Sequence, residues 1–159
     1  MHKLIPLASL ALFVIAGGAS ARDDRIMLPL KDALEAPAAQ EKLDKSIKLY
    51  FAGHPHPKVV KELGTWPTNK KTNAFGKSEA EACNWVFLTA MLTLQERAQK
   101  EGGNAIINIK SNYKNIETAS ATEYMCGVGA LMAGTAFKGT VVNSVGIQTN
   151  QSWSPRRSE

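Results

Sequence analysis

The sequence lacks a hydrophobic run long enough to cross a membrane: its longest apolar stretch, Leu4 to Ala16, falls short of the about 20 residues a spanning helix needs. It has no cysteine near that stretch, which excludes the lipid-modified N-terminus that needs one just after a cleavage point. Only two cysteines occur, Cys83 and Cys126, and no Cys-x-x-Cys, so a dithiol redox motif is missing. Histidine is equally scarce. Beyond His2 there are only His54 and His56, bracketed by prolines in one short segment. There is no Ser, His and Asp set, no Gly-x-Ser-x-Gly, no His-Glu-x-x-His and no pair of carboxylates in a recognisable frame. A catalytic constellation is therefore absent from the motifs, and neither an enzyme nor a cofactor is expected.

What the chain does have begins at its start. His2 and Lys3 form a short basic opening, the apolar run matches the roughly 7–15 residues of a secretory leader core, and Gly17-Gly18 breaks any helix. Ala19-Ser20-Ala21 then offers the small residues that a signal peptidase reads, so cleavage is expected after Ala21, leaving a soluble mature chain from Arg22 that is periplasmic or secreted and has no stable membrane anchor. About 138 residues remain, the size of one ordinary domain. Loss of Lys3 lowers the formal charge from +5 to +4. That mild excess suits solubility or attraction to an anionic envelope surface. Nucleic acid is a poor partner, because the bases are scattered and no basic stripe is interleaved with aromatics. An even pair of cysteines in an exported chain points to a Cys83–Cys126 disulfide.

Four regions follow: a leader over 1–21, an N-terminal arm over 22–45, an α+β domain over 46–143 and a flexible polar tail over 144–159. In the arm, Pro37 divides an Ala-rich stretch, which leaves room for a short helix around Leu30 to Ala36. Ser46 to Gly53 alternates with the period of a strand, Val59 to Trp66 suits a second short strand, and Pro67 to Gly76, rich in Asn, Lys and Thr, reads as a loop. Ser78-Glu79-Ala80-Glu81 has the form of a capping box that opens a helix, and Gly102-Gly103 closes it after Glu101. That helix carries two apolar stripes, Cys83, Phe87, Ala90, Leu94 and Ala98 on one side and Trp85, Leu88 and Leu92 on another. A helix apolar on two sides must be covered twice, by a sheet and by the arm or a second subunit. Asn104 to Tyr113 reads as a buried strand, Asn115 to Ala121 as a polar turn, Thr122 to Cys126 as a strand, Gly127 to Gly134 as a small-residue stretch and Thr135 to Asn143 as a last strand. The expected fold is α+β, a two-layer small domain with one main helix packed on one face of a sheet.

Three motifs have a chemical and a plain reading. Gly129 to Gly134 has the glycine spacing of a phosphate-binding loop, but Thr135-Ala136 stands where Lys-Ser or Lys-Thr is required and no helix follows, so close packing or a bent strand is preferred. His54 and His56, two apart on an extended segment, could face the same way towards a metal. A site needs three or four ligands, so a stiff exposed turn competes with it. Asn69-Lys70-Lys71-Thr72-Asn73 could grip an anion or could be a solvated loop.

A helix ending in Ala98, followed by Gly102-Gly103-Asn104-Ala105-Ile106 running into a buried strand, with a later Gly134-Thr135-Ala136-Phe137, resembles the YbjQ-type domain and the outer-membrane stress-sensor lipoprotein of the Rcs phosphorelay. The resemblance covers roughly 78–142 and implies an α+β fold. Within the motif, Gly102-Gly103 would end the helix, Asn104 would take a left-handed turn and Ala105 would start a tightly packed strand. Lys70-Lys71-Thr72-Asn73-Ala74-Phe75 and Glu81-Ala82-Cys83-Asn84-Trp85 are similar to exported proteobacterial proteins labelled excinuclease ATPase subunit. That label would require a complete phosphate-binding loop and zinc cysteines, which the chain does not carry. The expected function is an exported, non-enzymatic, disulfide-stabilised binding module of the bacterial envelope. Its partner would be an unknown envelope protein or a second copy, met through Trp85, Leu88 and Leu92. The alternative is a periplasmic metal-binding protein using His54 and His56.

Overall fold

The longest helix shows how local sequence sets an element here. Ser78 lies extended before it and its hydroxyl accepts the Glu81 amide at 3.1 Å, while Glu79 and Glu81 put negative charge at the positive end of the dipole. At the other end Gly102 turns left-handed, with φ 72°, and the Gly102 and Gly103 amides bond back to Gln99 and Ala98. The computed structural model describes residues 23–146. In chain order its elements are β1 (Asp24–Pro29), α1 (Leu30–Glu35), α2 (Pro37–Lys42), β2 (Lys48–Phe51), β3 (Val59–Asn73), α3 (Glu79–Glu101), β4 (Ala105–Tyr113), β5 (Ile116–Thr118), β6 (Glu123–Val128) and β7 (Met132–Ser144). The leader over 1–21 and all of the tail beyond Gly146 lie outside the described residues.

The seven strands form one mixed sheet with α3 packed on one face, so the domain is α+β in two layers. β7 is its spine. Along one side it pairs antiparallel with β3, from Asn73 opposite Met132 to Val59 opposite Ser144. Along the other side it pairs with β4 and then, nearer its start, with β6. β6 carries β1 outward, while β4 carries β5 antiparallel and β2 parallel. Asn108 sits at φ 53° where the register of β4 slips against both β7 and β2, which makes it the extra residue of a bulge.

Several boundaries differ from the sequence reading. The stretch from Pro67 to Asn73 is the second half of a 15-residue strand and not a loop, held rung by rung to β7. The arm contains a strand, β1, that joins the sheet, and the turn after Tyr113 contains the three-residue β5. β6 continues to Val128 and β7 begins at Met132, so Gly129 to Gly134 is a hairpin turn and a strand start with no helix after it. Asn104 is not left-handed. Its side chain instead clips the end of β7, its Oδ1 accepting the Ser144 amide at 2.9 Å and its Nδ2 donating to the Ser144 carbonyl at 3.0 Å.

Between helix and sheet, Phe87 of α3 sits among Phe51, Tyr124 and Phe137, with ring centroids 6.1, 4.7 and 5.5 Å away. The Tyr124 hydroxyl donates to Asn84 Oδ1 at 2.9 Å, and burial pushes that phenol's pKa well up. Beside this cluster Cys83 of α3 is bonded to Cys126 of β6, their Cα atoms 6.0 Å apart. The second side of α3 is covered by the arm, where Leu30, Ala33 and Ala39 are buried and Pro37 occupies the first turn of α2. Gln95 ties the arm down: its Oε1 accepts the Asp44 amide, and its Nε2 donates to the carbonyls of Asp44 and Ile47 at 2.8 and 2.9 Å.

Candidate functional site

Where the arm crosses the first turns of α3 it leaves an open groove of about 390 Å³. One wall is the backbone and small side chains of Ala36 to Ala39, at the break between α1 and α2 that Pro37 enforces. The other wall is α3, which contributes Glu81, Asn84, Trp85 and Leu88, at the i, i+3, i+4, i+7 spacing of one side of a helix. Lys77 also lines the groove. Small alanines opposite a large indole leave a slot between them, because nothing on the arm is bulky enough to fill the space over the ring.

The three residues singled out from the second apolar stripe take different places. Trp85 is 48% exposed in the groove, Leu88 is 3% exposed at its floor, and Leu92 is partly buried further along. Leu88 is a core residue beneath the arm, and Trp85 is the accessible apolar group. Asn84 belongs to both regions, lining the groove while its carbonyl oxygen holds the Tyr124 hydroxyl. The alanine wall had no signal in the sequence, since Ala36 to Ala39 and Trp85 lie almost fifty residues apart and meet only through the packing of the arm. Chemically the groove is a mainly apolar slot whose lining includes one ammonium and one carboxylate, suited to gripping an apolar side chain or a short turn.

The other candidates are placed apart from it. His54 and His56 are both exposed, after β2, but His54 leans edge-on against Phe51 and His56 against Tyr50. Consecutive strand residues point to opposite faces, so the two imidazoles do not converge. The His56 Nδ1 is also 2.9 Å from the Pro57 carbonyl. Among the described residues no group of three or more His, Cys, Asp or Glu side chains is placed to hold a metal ion. Cys83 and Cys126 are both fully buried in their disulfide.

The face of the sheet away from α3 carries ion pairs. Glu117 of β5 lies between Lys138 and Lys110, at 2.9 and 3.2 Å, and these lysines hold its carboxyl below the usual range. Nearer the β6–β7 turn, Asp23 pairs with Lys114 and accepts the Tyr113 hydroxyl at 2.8 Å; the Lys114 hydrogen bond, more than that of Tyr113, lowers its pKa. The Tyr113 ring lies over Gly127, where any Cβ would collide with it. No protein-family profile, characterised protein or solved structure matches the chain.

Proposed function

We propose that this chain is an exported, non-enzymatic binding module of the bacterial cell envelope, periplasmic or secreted, that grips a partner through the groove around Trp85. The occupant is an apolar side chain or turn presented by an envelope protein or by a second copy of the chain. The observation that carries this reading is the half-exposed indole of Trp85 set against a wall of small residues in an apolar slot. Exposed tryptophans in such slots are typical anchors of protein interfaces. The leader-like start and the buried Cys83–Cys126 bond support an oxidising compartment. The resemblance to YbjQ-type domains supports a related fold over roughly residues 78–142. Metal binding through His54 and His56 is less well supported, because their rings rest on opposite sides of β2.

Trp85→Ala tests the reading. Crosslinking in intact cells, followed by mass spectrometry of what is captured, should lose its main product in this variant. Thermal stability should be nearly unchanged, since Trp85 is half outside the core. Leu88→Asp is unsuitable for this purpose because it places a charge in the core and would unfold the domain. An identical set of captured proteins from wild type and Trp85→Ala would sink the proposal.

A further inference from the structure

Two loops meet at one end of the long β3–β7 ladder, and their backbones are locked together. Asn73 pairs with Met132, the Ala74 amide donates to the Leu131 carbonyl at 2.8 Å, and the Gly129 amide donates to the Met132 carbonyl at 2.8 Å. On the β3 side the Phe75 amide donates to Asn73 Oδ1 at 2.8 Å, and the Lys77 amide to the Ala74 carbonyl. The tip is thus ordered by its own hydrogen bonds, yet its large side chains face outward: Phe75 is 73% exposed, Leu131 62% and Met132 47%. A single exposed apolar residue is ordinary, but three large ones stand exposed at this one end of the ladder.

Around this wedge stand ammonium groups. Lys71 and Met132 line one shallow hollow together with Lys114, and Lys77 Nζ lies 3.4 Å from the Asn73 carbonyl. Asp23 lines the same hollow as Lys71, and Glu81 lines the Trp85 groove together with Lys77. Asp23 is held by Lys114 and Tyr113, and Glu79 and Glu81 are in the first turn of α3, where they complement its dipole. An apolar wedge with a basic collar matches the boundary of an anionic bilayer, where apolar side chains enter the acyl layer while lysines reach the phosphates. A protein groove would have to be concave and acidic at its rim to fit the same tip.

We infer that the tip formed by Phe75, Leu131 and Met132 docks the protein reversibly on an anionic phospholipid surface, with Lys71 and Lys77 contacting headgroup phosphates. Among the described residues no helix is long and apolar enough to cross a membrane. Docking at the tip also sets an orientation. The ladder from Met132 to Ser144 is roughly 40 Å long, so Val145 and Gly146 are held at the far end, away from the lipid. The inference goes beyond the Trp85 groove and does not depend on it, because none of the three apolar tip residues lines that groove.

The test is flotation with vesicles of phosphatidylethanolamine and phosphatidylglycerol, against vesicles of phosphatidylcholine alone. The chain is used as purified from its cells, with its N-terminus read by mass spectrometry. Wild type should float with the anionic vesicles and far less with the zwitterionic ones. Phe75→Ser with Leu131→Ser should lose affinity about tenfold or more, and Lys71→Glu, which lies outside the groove, should weaken the preference for anionic lipid severalfold. All these side chains are at least partly exposed, so the melting curves should match wild type. Trp85→Ala should float like wild type, which separates failure of this inference from failure of the groove reading. Absence of flotation by wild type, or equal flotation by the Phe75→Ser, Leu131→Ser variant, would overturn the inference. So would a lipid-free sedimentation experiment in which wild type is a dimer and that variant a monomer, since the tip would then be a contact between copies.

Discussion

Asp44 holds the turn between α2 and β2 with its carboxylate as well as its backbone. Its Oδ1 accepts the Ser46 hydroxyl at 2.6 Å and the Ser46 amide at 2.8 Å, and its Oδ2 accepts Gln99 Nε2 at 2.9 Å. These bonds, the Ser46 hydroxyl foremost, favour the ionised form and lower the pKa below the ordinary 3.8. A group whose folded pKa is depressed adds stability above its unfolded pKa and loses it as pH falls through the folded value. Asp44→Asn should therefore be less stable than wild type by a constant margin from neutral pH down to about pH 5, and that margin should close below the ordinary value. Urea unfolding at a series of pH values measures it, and a margin independent of pH would contradict it. At this scale the sequence showed what depends on near neighbours. Gly102-Gly103 was legible as a helix stop, and Gly102 is indeed left-handed. The second glycine has a different reason: a Cβ on Gly103 would lie 2.5 Å from Val141 Cγ1. Neither that approach nor the bond from Asn104 to Ser144 could be seen locally, because both partners are about forty residues away on β7.

Among the elements, α3 was readable because its cap, its length without Pro or Gly and its stop all lie within its own residues. β3 was not. Its exposed positions include Thr65, Pro67, Asn69, Lys71 and Asn73, while the residues between them offer one large apolar side chain, Trp66. An edge strand with so little apolar alternation looks like a loop until its partner is known. β1 and β5 were hidden for the same reason, since each is defined by pairing and not by pattern. The pairing of Cys83 with Cys126 was legible by count, and the structure adds what it joins: the first turns of α3 to β6, across the aromatic cluster. Closing a loop with a separation of 43 residues removes about 4 kcal/mol of unfolded-state freedom by loop-closure entropy. Cys83→Ala with Cys126→Ala should lower stability by about that amount and the melting temperature by about 10 °C, read by calorimetry. Because both sulfurs are fully buried, wild type should resist a mild reductant while folded and lose the bond only when denatured. Rapid thiol labelling of the native protein would contradict this.

In the molecule as a whole, α3 covers one face of the sheet and leaves the other with Glu117 between Lys110 and Lys138, so the two-layer class followed from one helix with strands on either side in sequence. The groove did not follow, because it exists only where the arm, broken at Pro37, crosses α3. The same asymmetry leaves β3, over 15 residues, at an edge of the sheet, paired with β7 alone among the described strands. A long edge strand is a template for pairing with another chain, and proteins blunt such edges with prolines and lysines. Pro67 interrupts the outward row of donors near the middle of β3, and Lys61, Lys70 and Lys71 add like charges along it. Pro67→Val restores a donor and raises strand propensity, so it should leave the fold intact while making the protein associate through β3. Light scattering across a concentration series should show a mass that rises with concentration in Pro67→Val and stays lower in wild type. Equal masses throughout would mean that the lysines and the twist of the ladder guard this edge without the proline.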